Sequence, residues 1–202
     1  MSDAPVSADL STTGASAHAS LFRQGGDAFG IAAAGTDVWG AGGQHDDQFG
    51  AIYKAGAFGP TSSITARVVA VNDTNAWAKS GVMVRNDMTQ AGTSAGYAIV
   101  AVTGRNGVTF QWDANGDGYL DSSAGAGVDV HRPIWVRLER TGTSLAASYS
   151  YDGANFLPVG VPVELPSVAT TQDAGIFSTS HDAAQSAINQ FDSVAWPGTG
   201  AR

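Results

Sequence analysis

The chain has 202 residues, a net charge of −8 and no cysteine, and only 14% of its residues are charged. The negative charge argues against binding to a nucleic-acid backbone, which requires clustered Lys and Arg. The lack of cysteine excludes disulfides and thiol chemistry. No apolar run approaches the roughly 18 residues of a membrane-spanning helix, and the residues after Met1 lack the basic and apolar regions of a signal peptide.

Strand-like runs separated by short turns recur along the chain. In chain order they cover 50–55, 63–71, 76–86, 96–103, 107–112, 134–142, 144–153, 174–180 and 188–196. No segment longer than about ten residues keeps a helical repeat of apolar positions. We therefore predict an all-β fold in which two antiparallel sheets pack as a β-sandwich. We expect a single domain at 13–196, with linkers at 1–12 and 197–202.

The run 77–85 has two chemically different faces. One set of alternate residues is small or apolar and suits a core: Ala78, Ser80, Val82 and Val84. The other set combines an aromatic ring, two cations and a thioether: Trp77, Lys79, Gly81, Met83 and Arg85. The second face has two interpretations. It is either the wet side of an amphipathic strand with extended cations, or a concave sheet surface that faces a ligand.

Five segments occur in an order that is typical of one family. They are GTDVWG, NAWAKSGVMVRND, GYAIVAVTGRNGVTFQW, IWVRLERTGTSLAASYSYDGANFLPVG and AGIFSTSHDAAQSAINQFDSV. Together they resemble the concanavalin A-like β-sandwich accessory domains of the DUF1349, regulation-of-enolase-like type, over about residues 10–196. The resemblance implies a concanavalin-like jelly roll. It also implies non-catalytic carbohydrate binding, as a module of a secreted bacterial polysaccharide-degrading enzyme.

The segment DANGDGYLD, residues 113–121, is longer and more acidic than the simple turn that the resemblance implies. Its spacing matches the start of a calcium loop, because Ca²⁺ binds about six to eight oxygen ligands. The glutamate that ends an EF-hand loop is missing, since Ala124 stands at that position. The alternative is an acidic turn that needs no ion. We predict one calcium ion, with these ligands: Asp113, Asn115, Asp117, the carbonyl of Tyr119, and Asp121.

Catalysis is not expected from the distribution of carboxylates. Glu139 and Glu164 lie in separate segments, and the adjacent Asp46 and Asp47 would point to opposite faces of a strand. The segment GTSAG around Ser94 matches a serine-hydrolase motif, but a strand-like run follows it where that motif requires a helix. The sequence therefore predicts a protein that is not an enzyme.

These observations together predict a secreted, monomeric, calcium-stabilised and lectin-like carbohydrate-binding module of a larger multidomain enzyme. Its partner is a polysaccharide or oligosaccharide, and neither nucleic acid nor membrane. Because sugar rings pack on aromatic rings and their hydroxyls need fixed polar partners, the expected ligand-binding residues are Trp39, Trp77, Lys79, Arg85 and Gln111. His181 is expected in a rim loop and Trp135 in the core. The alternatives are a calcium-dependent adhesion or interaction domain without glycan specificity, and an unrecognised hydrolase.

Overall fold

The computed structural model describes residues 6–14, 20–90, 92 and 94–198, and these residues form two antiparallel β-sheets. The predicted all-β sandwich is therefore confirmed. No described segment forms a helix long and apolar enough to cross a bilayer. The ends of the two predicted linkers, residues 1–5 and 199–202, lie outside the described residues.

The first sheet has seven strands. In spatial order they are β1 (Ser11–Thr13), β4 (Gly50–Phe58), β14 (Gln172–Thr179), β6 (Lys79–Arg85), β7 (Ala98–Thr103), β8 (Val108–Trp112) and β9 (Ser122–Ala126). β1 begins at Ser11, so strand structure starts inside the predicted linker 1–12 and pairs with β4.

The second sheet has eight strands. In spatial order they are β12 (Leu157–Pro158), β11 (Ser144–Ser150), β10 (Ile134–Thr141), β5 (Ser63–Ala70), β15 (Asp182–Ala195), β3 (Ala28–Gly35) and β2 (Leu21–Gly25), with β13 (Val163–Glu164) also paired to β11. β2, β3 and β9 were not predicted from the sequence. β3 and β9 are rich in Ala and Gly, which are depleted in strands, so their pattern gives little signal.

The main core lies between the two sheets. Strand alternation directs one face of each strand inwards, as Val82 and Val84 of β6 and Ile134 and Val136 of β10 illustrate. All four side chains are fully buried. Complete burial of such a side chain stabilises the fold by about 1.5–3 kcal/mol, so the sandwich rests on this layer.

A second apolar cluster covers the outer face of the seven-stranded sheet. It includes Met83, Ile99 and Phe177 from the sheet itself, together with residues of the loops that cross over it: Val38, Phe49, Met88, Tyr97 and Leu120. As a result every residue of β6 is buried, including both of its cations. Loops therefore cover most of this outer face, and an open cleft remains beside Lys79.

Candidate functional site

The cleft on the outer side of the seven-stranded sheet has a volume of about 330 Å³. Its lining combines two indole rings with polar groups: Asp37, Trp39, Gln44, Trp77, Lys79, Gln111, Ser123 and His181. Trp39, Trp77, Lys79 and Gln111 were all expected at a ligand site, and His181 was expected at a rim. Arg85, which was expected with them, is not among the lining residues. The cleft lies near the lower end of the volumes that are typical of small-molecule sites, roughly 300–1,000 Å³.

Two tryptophans give the cleft its apolar surface. Trp77 is 43% exposed, although it is one of the largest apolar side chains of the chain. Its backbone N–H donates a hydrogen bond to Asn75 Oδ1 at 2.9 Å, and Lys79 Nζ lies 5.6 Å from the centroid of its ring. Trp39 is partly buried and forms an isolated parallel bridge with Leu120. These contacts fix the backbone at both tryptophans, and both side chains line the cleft.

Asp37, Lys79 and His181 form the charged part of the cleft. Lys79 Nζ donates to Asp37 Oδ1 at 2.5 Å and to the carbonyl of Trp77 at 3.2 Å. His181 Nδ1 lies 3.1 Å from Asp37 Oδ2. Burial opposes ionisation of Asp37, but the contacts with His181 and Lys79 outweigh it and lower the pKa of that carboxyl. Burial lowers the pKa of Lys79, and the charge of Asp37 opposes this shift.

Buried ion pairs fix the rim segment, residues 36–49, to β6 at both of its ends. Lys79 binds Asp37 near the start of the segment, and Arg85 binds Asp47 near its end. Arg85 Nη1 lies 3.1 Å from both carboxylate oxygens of Asp47, and the guanidinium also stacks on the ring of Tyr97 at 4.3 Å. Burial, followed by the charge of Asp47, raises the pKa of Tyr97 well above its ordinary value.

The expectation that Arg85 contacts ligand therefore has no support in the structure. Arg85 is fully buried and its charge is matched by Asp47. Strand alternation places Arg85 on the same face as Lys79. Loops that cross this face cover Arg85, whereas Trp77 remains accessible. The face carries two cations because they anchor the rim segment.

Four of the predicted calcium ligands, the side chains of the loop, accept hydrogen bonds from the backbone of their own loop. Asp113 is fully buried, and its carboxylate accepts the backbone N–H groups of Gly116, Asp117 and Gly118 at 2.6, 3.2 and 2.9 Å. Burial raises the pKa of Asp113, and the backbone N–H groups partly offset this effect. Asp121 Oδ1 accepts the N–H of Ala114 at 2.9 Å.

The two middle side chains of this loop form turns with their own backbone. Asn115 Oδ1 accepts the N–H of Asp117 at 2.8 Å, and Asp117 Oδ1 accepts the N–H of Tyr119 at 3.0 Å. No group of three or more His, Cys, Asp or Glu side chains that could hold a metal ion occurs among the described residues. The structure therefore does not gather the carboxylates of this loop into a metal-binding group, and calcium binding at the five residues stays a prediction.

The loop 113–121 instead supports the rim of the cleft. The backbone N–H of Gly40 donates to the carbonyl of Leu120 at 2.7 Å, and the rings of His45 and Tyr119 meet edge to face at 4.6 Å. A Cβ atom at Gly40 would lie 2.4 Å from Cβ of Tyr119, so this contact requires glycine. The acidic loop therefore holds the backbone that carries Trp39.

Three buried polar atoms near the cleft make no hydrogen bond with the described residues: Gln111 Oε1, Thr179 Oγ1 and His181 Nδ1, whose contact with Asp37 is the ion-pair distance of 3.1 Å. Gln111 lines the cleft, and Thr179 pairs with Lys79 across the sheet, so it lies on the same face. Unsatisfied buried polar groups are uncommon in folded proteins and often mark functional positions. Neither Thr179 nor Asp37 was identified from the sequence, because their roles arise only from pairing between distant segments.

Two other residues considered from the sequence lie elsewhere. Trp135 was expected in the core, and that expectation is wrong. Ile134 and Val136 point into the core, so Trp135 lies on the outer face of the eight-stranded sheet, where Arg67 stacks on its ring at 4.9 Å. Ser94 is buried, its hydroxyl accepts the N–H of Asp87 at 2.7 Å, and β7 follows it instead of the helix that a hydrolase motif requires.

No protein-family model matches the chain, and no curated protein is similar to it in sequence. The resemblance to the DUF1349 type therefore stays a prediction. Solved structures show clear similarity of fold. One is a functionally unknown protein from Saccharomyces cerevisiae, with a TM-score of 0.68 and 14% identity over 93% of this chain and 95% of that chain.

Carbohydrate-binding folds are also among the similar structures. The carbohydrate-binding module CBM66 from Bacillus subtilis has a TM-score of 0.55 and 16% identity, over 91% of this chain and 94% of that one. The exoplasmic/lumenal domain of VIP36, in a form bound to Ca²⁺ and Man3GlcNAc, has a TM-score of 0.50 and 7% identity, over 91% and 84%. The chain also spans 32% of the length of the GH43 protein BlXynB from Bacillus licheniformis. At these identities the comparisons show a shared β-sandwich fold.

Proposed function

We propose that this chain is a non-catalytic module that binds a polysaccharide or oligosaccharide in the cleft. The observation that carries the proposal is the exposed ring of Trp77, which lines the same cleft as Trp39 and a fixed set of polar side chains. An exposed apolar surface rimmed by polar residues is typical of a ligand-binding groove. The similar fold of CBM66 and of VIP36 supports the same class of ligand.

The chemistry of the lining suits a sugar. A pyranose or furanose ring presents C–H groups that pack on an indole, while its hydroxyls require donors and acceptors at fixed positions. Lys79, His181 and Gln111 supply nitrogen and oxygen groups, and Asp37 holds two of these residues in place. Because these side chains are already ordered, little conformational entropy is lost when a ligand binds.

The carboxylates of the described residues support a binding role without catalysis. A glycosidase needs a general acid with a raised pKa, whereas the pKa of Asp37 in the cleft is lowered. Asp47 is buried against Arg85, and Glu139 and Glu164 belong to β10 and β13 of the other sheet. Asp37, the one carboxylate among the described residues that line the cleft, therefore has a pKa shift opposite to that of a general acid.

We also propose that the module acts as a monomer within a secreted, multidomain polysaccharide-degrading enzyme of a bacterium. The support is that the chain covers about a third of the GH43 protein BlXynB, 32% of its length, and nearly all of CBM66, 94%. We do not include calcium in the proposed function, because the described residues do not gather the carboxylates of the loop into a metal-binding group.

A glycan microarray, followed by calorimetry with the best ligand, tests the proposal. We expect Trp77→Ala to weaken binding by at least about tenfold, which corresponds to about 1.4 kcal/mol, because it removes the stacking surface. The matched control is Trp135→Ala, which removes the same side chain from the outer face of the other sheet. It should leave the affinity unchanged, and thermal unfolding curves should show that both variants are folded.

The proposal is wrong if no glycan binds, or if Trp135→Ala lowers the affinity as much as Trp77→Ala does. Release of reducing sugar from the bound glycan would contradict the non-catalytic role. That assay should include neutral and acidic polysaccharides, since the proposal does not name the polymer.

A further inference from the structure

We infer that the cleft selects neutral sugar units and discriminates against sugars that carry a carboxylate, such as uronates. This inference rests on the proposed function, because it concerns the ligand class of the same site. It follows from how the charges of the cleft are paired and from the acceptor group that lacks a partner.

The positive charge in the cleft is already neutralised. Among the described residues that line it, Lys79 carries the one permanent positive charge, and its ammonium group is bound to Asp37 at 2.5 Å. The Lys79 side chain is 1% exposed, so it has almost no surface to offer a second anion. A ligand carboxylate would have to separate this buried pair, and an unpaired buried charge is strongly unfavourable.

The negative charges add to this effect. Asp37 lines the cleft, and Asp46 lies on the rim segment, close enough to act on the charge of Lys79. These two carboxylates exceed the single ammonium group, and the whole chain carries a net charge of −8. A uronate would lose water on entering the cleft without gaining an opposite charge, which is costly.

The unpartnered group favours a hydroxyl. Gln111 is 5% exposed, and its Oε1 lacks a donor among the described residues. A sugar hydroxyl both donates and accepts hydrogen bonds, whereas an ionised carboxylate only accepts them. Two further polar lining residues, Gln44 and Ser123, are neutral and can bind hydroxyls equally well. A neutral sugar hydroxyl can therefore donate a hydrogen bond to Gln111 Oε1. A carboxylate would leave this oxygen without a donor, and Asp37 would repel it.

A pair of chemically matched ligands tests the inference. The best neutral glycan from the microarray is converted into a hydroxyethyl form and a carboxymethyl form with the same degree of substitution. The two substituents are similar in size and differ in charge. At low ionic strength we expect the hydroxyethyl form to bind at least tenfold more tightly. The ratio of the two affinities should fall when salt screens the repulsion between the carboxymethyl group and the carboxylates of the cleft.

A charge-adding variant provides the reverse test. Gln44 is exposed and lines the cleft, so Gln44→Lys places an unpaired cation there with little risk to the fold. It should reduce the discrimination against the carboxymethyl form by about threefold or more. Thr61→Lys is the matched control, since Thr61 is exposed in the turn between β4 and β5, and it should leave the ratio unchanged.

The outcomes separate the two proposals. Absence of binding to every glycan overturns the proposed function itself. Equal affinity for the two substituted forms, whatever its level, overturns the selection against carboxylates and leaves carbohydrate binding intact. Tighter binding of acidic glycans than of their neutral counterparts would likewise overturn the selection against carboxylates. A tenfold preference that Gln44→Lys reduces and Thr61→Lys does not would establish the inference.

Discussion

Two cations on one face of β6 show how single residues shape the cleft. Lys79 and Arg85 both point to the outer side of the seven-stranded sheet, and each binds an aspartate of the rim segment. Their positions explain why a strand that is buried on both sides carries charge. The anchored rim segment in turn places Trp39 and Gln44 at the edge of the cleft.

The buried pair of Arg85 and Asp47 should be important for stability. Asp47→Ala leaves a fully buried guanidinium without its carboxylate, and it also removes the acceptor of the Gly92 N–H. We expect the free energy of unfolding to fall by about 3–5 kcal/mol, as measured by chemical denaturation.

The exposed pair of Arg105 and Asp73 provides the comparison, because its side chains are 59% and 44% exposed. Asp73→Ala should change the free energy of unfolding by no more than about 1 kcal/mol, because solvent screens such pairs. Similar losses in the two variants would mean that the buried pair does not hold the rim segment.

At the scale of elements, the loop 113–121 follows β8 and holds the rim segment in place through direct contacts. Its carboxylates accept backbone N–H groups, and its residue Leu120 pairs with Trp39. Gly116 and Gly118 have positive φ values of 82° and 92°, which glycine adopts without strain. The pattern that resembles a calcium loop therefore also describes a tight turn whose donors and acceptors are satisfied internally.

Asp113→Ala should destabilise the protein independently of calcium. It removes the acceptor of three backbone N–H groups, so we expect a loss of about 1–3 kcal/mol in the free energy of unfolding. Asp129→Ala is the matched control, because exposed Asp129 accepts one such bond, from His131, at 3.0 Å.

Melting curves of the unmutated protein should coincide in excess calcium and in chelator. A melting temperature that rises with the logarithm of the calcium concentration, and that loses this dependence in Asp113→Ala, would instead establish the calcium site predicted from the sequence.

At the scale of the whole molecule, the seven-stranded sheet lies between two apolar layers. The inter-sheet core covers one face, and the cluster around Met83 and Phe177 covers the other. Its central strands β14, β6 and β7 are therefore shielded on both sides and at both edges. The eight-stranded sheet has one outer face that carries partly exposed residues such as Trp135 and Arg137.

Hydrogen exchange should reveal this difference. Backbone amides of Val82, Val100 and Ile176 are expected to exchange only through global unfolding, because opening them locally would expose both apolar layers. Amides of the edge strands β9 and β12 should exchange by smaller openings and much earlier. Early exchange of the β6 amides, measured by NMR or mass spectrometry, would show that the outer layer is not part of the cooperative core.

Local patterns in the sequence were sufficient to predict the fold class and most long strands. Alternation separated Val82 and Val84 from Lys79 and Met83, and the structure places these two sets on opposite faces of β6. Trp39, Trp77, Lys79 and Gln111 were selected for their chemistry, and all four line one cleft. Parity within a strand explains the placement of Lys79 and Gln111, whereas Trp39 and Trp77 lie outside the named strands and were selected because their rings suit a sugar.

Only the tertiary structure decided which parts of each face remain accessible. Arg85 and Trp77 share a sequence parity, yet Arg85 lies in β6 and is fully buried, whereas Trp77 lies in the turn before β6 and is 43% exposed. The pairing of Asp37 with Lys79 joins residues 42 positions apart, and the oxygens of Asp113 bind their own backbone. Whether a side chain is buried, ion-paired or hydrogen-bonded depends on the positions of atoms from distant segments. Alternation along a single strand does not specify these positions.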